Sequence, residues 1–125
     1  MDANDAPLLG LRTVIYPAPD LAAAKAVFTE VLGVAPYFDE PFYVGFDVGG
    51  YELGLLPDAD AADGVQTYWG VEDADRAVEE LLAAGARPHL PVTDVGGGIR
   101  TAMVRTPMGT LLGVIENPHF ELPAG

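Results

Sequence analysis

The sequence predicts an α+β fold built from two tandem β-α-β-β-β modules, and three observations carry that prediction. Residues 12–36, RTVIYPAPDLAAAKAVFTEVLGVAP, and residues 66–88, QTYWGVEDADRAVEELLAAGARP, follow one plan. Each is a β-rich run, a turn ending in Asp (Asp20, Asp73), an Ala/Leu-rich amphipathic stretch, then Gly (Gly33, Gly85) and Pro (Pro36, Pro88). GYELGLL at 50–56 is echoed by GTLLGVI at 109–115. A chain of 125 residues has the size of one domain, 1–125, so two half-size units are expected to share one core.

In the first module, about 11–56, alternating apolar character marks a strand near 11–16. Asp20 is positioned to cap a helix whose Leu21, Ala24, Phe28, Val31 and Leu32 recur at helical spacing. Gly33 ends it, with Pro36 just beyond. Strands are expected at 36–39, 42–48 and 51–56, the last two joined through the hairpin pair Gly49-Gly50. Residues 57–64 form an acidic, Ala/Asp-rich linker. The second module, about 65–120, repeats the plan with a strand at 65–71 and a helix from Asp73 to about Ala84, burying Ala77, Val78, Leu81 and Leu82. Strands near 90–93, 99–105 and 110–116 follow, joined by Gly96-Gly97-Gly98 and Pro107-Met108-Gly109.

Composition excludes several classes of function. Hydrophobic residues make up 50% of the chain, the signature of a globular domain. No apolar run approaches the roughly 20 residues that span a bilayer, and MDANDAPLLG lacks the basic and apolar regions of a signal peptide. No membrane partner and a cytoplasmic location are therefore expected. The absence of Cys removes disulfides, thiolate nucleophiles and thiolate metal sites together. A net charge of −13 with six Lys and Arg argues against nucleic acid, whose phosphates demand cations. The same charge is read first as an acidic surface that keeps the protein soluble, with long-range attraction of cationic ligands as the alternative. No Ser/His/Asp or Cys/His nucleophile set is visible, and Gly96–Gly98 is a turn rather than a phosphate-binding loop.

The two β-α-β-β-β modules, the helix opening Asp20-Leu21 and closing Leu32-Gly33, and the ending PMGTLLGVIENPHF resemble the vicinal oxygen chelate superfamily. That superfamily includes glyoxalase I, extradiol dioxygenases, fosfomycin-modifying enzymes and bleomycin-resistance binding proteins. The resemblance covers roughly 11–120 and implies curled mixed sheets around a cavity with the helices outside. It also implies four metal-ligand positions, on the first and last strand of each module. The first-strand ligand lies seven residues before the capping Asp, which gives Thr13 and Gln66. The last-strand ligand, usually Glu, lies four residues after the turn Gly, which gives Gly54 and Gly113. One amide, one hydroxyl and two glycines do not make a divalent-cation site, so no metal and no cofactor is expected. Glu52, Glu116 and His119 are the residues left for a relocated site.

Two glycines in symmetry-related ligand positions are expected to widen the pocket floor. Alternation places Thr13 and Ile15 inward and Val14 and Tyr16 under the first helix. With Gln66 inward, Tyr68 faces in and Trp69 packs beneath the second helix. Phe38, Phe42, Tyr43 and Phe46 are candidate cavity aromatics whose phase the sequence leaves open, and Met103 and Arg105 on a late strand are candidates to join them. The tail Glu116–Phe120 is read either as a cap on the cavity or subunit contact, or as a structural turn. Aromatic faces around a concave site suit planar ligands. The resemblance and the missing carboxylates together imply a homodimer that sequesters an aromatic, largely apolar small molecule, an antibiotic above all, without catalysis. The alternative is a lyase, isomerase or dioxygenase of the superfamily with a relocated or absent metal site.

Overall fold

A computed structural model describes residues 7–121. The element order is β1 (Gly10–Pro17), α1 (Leu21–Leu32), β2 (Phe38–Glu40), β3 (Tyr43–Val48), β4 (Tyr51–Leu56), β5 (Gln66–Gly70), α2 (Ala74–Ala83), β6 (Arg87–Gly96), β7 (Ile99–Arg105) and β8 (Leu111–Glu116). The expected α+β plan is present, β-α-β-β-β twice. The chain forms two compact units, one of residues 13–66 with 121, the other of 7–12 and 67–120.

In the unit of residues 13–66, β1 runs parallel to β4, and β4, β3 and β2 pair antiparallel. Asp20 starts α1 by accepting a hydrogen bond from the Ala23 N–H at 3.1 Å, and Gly33 ends it in the left-handed region with φ of 71°. Leu21, Ala24, Phe28 and Leu32 of α1 pack on the buried cluster of Ala18, Val44, Phe46 and Leu55. Val31, expected with them, is 69% exposed. At 100° per residue it lies on the flank of the Leu21–Phe28–Leu32 stripe, turned past the sheet. The linker is not featureless: Ala61–Asp63 make one 3-10 turn capped by Asp60.

In the other unit, β5 runs parallel to β8, and β8, β7 and β6 pair antiparallel. Asp73 caps α2 by accepting from the Asp75 and Arg76 N–H groups. Ala74 and Ala77 are buried with Val71, Ala102 and Val114, and Val78 and Leu81 pack against them. Leu82, placed in that core by the sequence, is only half-buried and outside the cluster, again a flank position. β6 begins at Arg87, earlier than expected, and carries register shifts that let a Pro-containing strand follow β7 over ten residues. In each unit the helix covers one sheet face and leaves the other free of helices.

Candidate functional site

Register settles which side chains reach the helix-free faces. In the unit of residues 13–66, β4 residues Leu53 and Leu55 lie opposite Phe46 and Val44, both packed toward α1. Gly54, Gly45 and Ile15 therefore share the open face, and one rung across it reads Ile15, Gly54, Gly45, Phe38. Thr13 lies beside Glu52, and Glu52 opposite Asp47, on the adjacent rung of that face. Thr13, Phe38, Tyr43 and Gly54 are thus brought together, as the alternation of β1 requires. Phe42 sits in the β2–β3 turn, with its ring 5.9 Å from that of Phe38 at an interplanar angle of 67°. Phe38 is also 6.1 Å from Tyr43.

Phe46 does not belong to this group. It is fully buried against α1, 6.4 Å from Phe28, because it alternates with Gly45 rather than sharing its face. It is a core residue.

On the helix-free face of the other unit, the rung reads Tyr68, Gly113, Met103, Leu90. Met103 is 2% exposed, and Tyr68 is half-buried, its phenol pushed above the usual pKa by that burial. Gln66, the last residue of the 13–66 unit, precedes Tyr68 by two residues on β5 and is half-buried. Arg105 lies two residues beyond Met103, but its Nη1 donates to the Gly109 carbonyl at 2.8 Å and braces the β7–β8 turn. Trp69 is on the opposite alternation, its Nε1–H donating to Thr67 Oγ1 at 3.1 Å.

The paired glycines do not open the floor. A Cβ on Gly54 would fall 2.7 Å from Cζ and 2.9 Å from Cε2 of Tyr43, and one on Gly113 would fall 2.6 Å from Cδ1 and 2.7 Å from Cε1 of Tyr68. Each glycine admits a tyrosine ring from a neighbouring strand, and the ring fills the space the missing side chain leaves. Gly45, not singled out in the sequence, works the same way: its Cβ would meet Glu52 Oε2 at 3.0 Å and Tyr37 Cε1 at 3.1 Å. The Tyr37 hydroxyl donates to Glu52. Partial burial, the bond to Glu52 and the nearby carboxylates of Glu52 and Asp47 hold the Tyr37 phenol well above its ordinary pKa. Tyr37 and Glu52 were the residues sequence reasoning undervalued. Gly45, alternating with buried Val44 and Phe46, was the signal.

The donor set implied by the resemblance does not fit a divalent metal. Thr13, Gly54, Gln66 and Gly113 supply a hydroxyl and an amide, and rings stand over both glycines. The relocated candidates are engaged elsewhere. Glu116 accepts from Arg100 Nη2 at 2.6 Å and from the Ala74 N–H at 2.9 Å, tying β8 to the start of α2. Arg100 also pairs with Asp75 at 2.8 Å and lies 3.6 Å from Asp73. These contacts, the Arg100 bond first, pull the Glu116 pKa down. His119 Nε2 is hydrogen-bonded to the Gly97 carbonyl at 2.8 Å, and the His119 backbone N–H donates to Asn117 Oδ1. Phe120 lies under the Arg12 guanidinium, 4.0 Å from ring centroid to Cζ. Within the chain these contacts hold the tail as a turn. Among the described residues, no three His, Asp or Glu side chains are grouped to hold a metal.

The same architecture occurs in known proteins. A search of curated proteins gives no significant match. Among solved structures, Streptomyces coelicolor methylmalonyl-CoA epimerase in complex with 2-nitronate-propionyl-CoA aligns with a TM-score of 0.68 at 18% identity, over 93% of this chain and 99% of that one. A glyoxalase/bleomycin resistance protein/dioxygenase superfamily member from Vibrio splendidus 12B01 aligns at 0.65 and 22% identity, over 85% and 97%. The Mn(II)-bound glyoxalase from Novosphingobium aromaticivorans aligns at 0.69 and 16% identity, over 95% of this chain and 42% of that one. At these identities the likeness is one of fold. The family model for the Glyoxalase/Bleomycin resistance protein/Dioxygenase superfamily matches residues 10–114, and the chain belongs to that superfamily.

Proposed function

We propose that the protein binds an aromatic, largely apolar small molecule on its helix-free sheet faces and sequesters it unchanged, protecting the cell from an antibiotic. The observation that carries this reading is the substitution of ring for carboxylate. Where the resemblance calls for a metal-ligating Glu, each module has a glycine covered by tyrosine. Phe38 and Phe42 extend the aromatic surface beside the first of these and remain exposed to a ligand. Stacking and apolar burial supply affinity, while Thr13, Gln66 and neighbouring polar groups set orientation. Protection by such a protein scales with its concentration relative to Kd, not with turnover.

A thermal-shift panel of planar polycyclic antibiotics tests this. At least one compound raises Tm by several degrees and is recovered chemically unaltered. No shift with any aromatic compound, or one transition metal per chain by elemental analysis, overturns it. A second reading, a metal-free isomerase or lyase, is favoured by the Glu52–Tyr37 pair, a carboxylate hydrogen-bonded to a phenol on the same open face. Recovery of a chemically altered ligand would decide for it.

A further inference from the structure

We propose that the ligand carries an organic cation, an ammonium or guanidinium nitrogen attached to its aromatic body, and that Glu52 is its counter-ion. This rests on the aromatic-capture reading and names the class of molecule captured.

The argument starts from the Gly45–Gly54 rung. Two glycines directly opposite each other remove both Cβ atoms from one rung of the sheet. Onto this flat seat the Glu52 carboxylate and the Tyr37 ring settle over Gly45, while the Tyr43 ring settles over Gly54. A carboxylate is thereby held against one phenol, while a second phenol ring covers the glycine on the neighbouring strand. It accepts a hydrogen bond from the Tyr37 hydroxyl, a neutral donor. Phe38 and Tyr43, 6.1 Å apart, border the seat with their rings. Carboxylate plus π-faces is the arrangement that binds organic cations, through charge and through the ring quadrupole together.

Charge distribution agrees. Residues 13–66 contain nine carboxylates and one cation, Lys25. Lys25 is bound to Asp39, which alternates with Phe38 and Glu40 and so points to the helix side. Glu40 and Asp47 lie on the open face with Glu52, opposite Tyr43 and Glu52 respectively. No described Lys or Arg of residues 13–66 reaches that face. A second observation is independent of the acidic residues. Thr13, adjacent to Glu52, is only 7% exposed, and its hydroxyl makes no side-chain hydrogen bond among the described residues. Among the described residues no fully buried polar side-chain atom lacks a partner, so that hydroxyl retains an opening toward solvent. It is a nearly buried hydroxyl on the strand next to that of Glu52, able to accept a hydrogen bond from a polar group of the ligand. One carboxylate with a phenol against it is too small a set of hard donors for a divalent metal but suits an ammonium.

The experiment is calorimetric titration of the intact protein at pH 7 with 2-naphthylmethylammonium and with its uncharged near-isostere 2-naphthylmethanol. The ammonium binds about tenfold or more tightly than the alcohol, and raising NaCl from 50 to 500 mM weakens only the ammonium. E52Q reduces the preference to less than about threefold, while Y37F, which keeps the charge, retains most of it. Equal affinity of the native protein for the two compounds overturns the cation assignment and leaves aromatic capture standing. Binding of neither overturns both. A preference that survives E52Q in a variant whose melting curve shows it folded places the counter-ion elsewhere and overturns the role of Glu52. If E52Q does not fold, the salt dependence of the native protein decides, since a preference insensitive to salt is not electrostatic.

Discussion

Gly54 and Gly113 occupy equivalent places in the two modules, yet adding one methyl group to each has unequal consequences. At Gly54 the atoms in the way all belong to the far end of the Tyr43 side chain, whose displacement costs less than a shift of backbone. At Gly113 the obstruction is the flank of the Tyr68 ring together with the Thr67 carbonyl oxygen at 3.0 Å, which is backbone and cannot yield. Gly113→Ala is therefore expected to destabilise by about 1–3 kcal/mol and Gly54→Ala by less than about 1 kcal/mol. Equilibrium urea unfolding of the two variants checks the order; a Gly54→Ala loss equal to or larger than that of Gly113→Ala would refute it. Phe46 supplies the contrasting lesson at this scale. Phe46 and Tyr43 are both aromatics of β3, three residues apart, and only the pairing partner decides that one is core and the other surface.

At the scale of elements, the helices and most strands were legible because their signals are local. Asp20, Gly33 and Asp73 do in the structure what capping chemistry says they must. The order of the strands followed from the repeat. The phase of β2 and β3 was not legible, because YFDEPFYVGF places aromatics on both alternations and its adjacent carboxylates, Asp39 and Glu40, also fall on both. Gly45 holds the answer, but a glycine reads as a weak strand residue until its neighbour across the sheet is known. The Glu116–Arg100 contact was illegible for a similar reason: it links residues 16 apart through the β7–β8 pairing and then reaches the α2 N-terminus. It also dictates an acid response. Glu116 has its pKa lowered below the usual 4.5 by the Arg100 bond and the Ala74 N–H. A depressed carboxylate contributes stability that is complete above its unfolded pKa and disappears as pH falls through the folded one. Glu116→Gln should thus lower Tm at pH 7 by roughly 3–6 °C, with the gap to the native protein closing below about pH 4. A gap that persists unchanged at pH 3 would mean that side-chain shape, not ionisation, is what α2 requires.

At the scale of the whole molecule, charge is the property that the sequence states most plainly and the fold tolerates least comfortably. Net −13 on 125 residues reflects 19 Asp and Glu against six Lys and Arg. The described ion pairs absorb few of them: Lys25 with Asp39, Arg76 with Glu80, and Arg100 with the Asp73, Asp75 and Glu116 group. Two opposing effects of salt follow. Screening weakens these few pairs, which are largely surface contacts of low individual value. Screening also relieves repulsion among the unpaired carboxylates, which is summed over the molecule and so outweighs the first effect. The Debye length falls from about 30 Å at 0.01 M to about 8 Å at 0.15 M, so most of the relief arrives below physiological ionic strength. Tm should therefore rise with NaCl by roughly 3–6 °C between 0.01 and 0.15 M and then flatten. If the counter-ion role of Glu52 is right, a bound aromatic ammonium removes part of that repulsion itself, and the salt-dependent rise becomes smaller in its presence than with the uncharged alcohol. A Tm that falls with added NaCl would show that the attractive pairs dominate and would reverse this ordering of electrostatic effects.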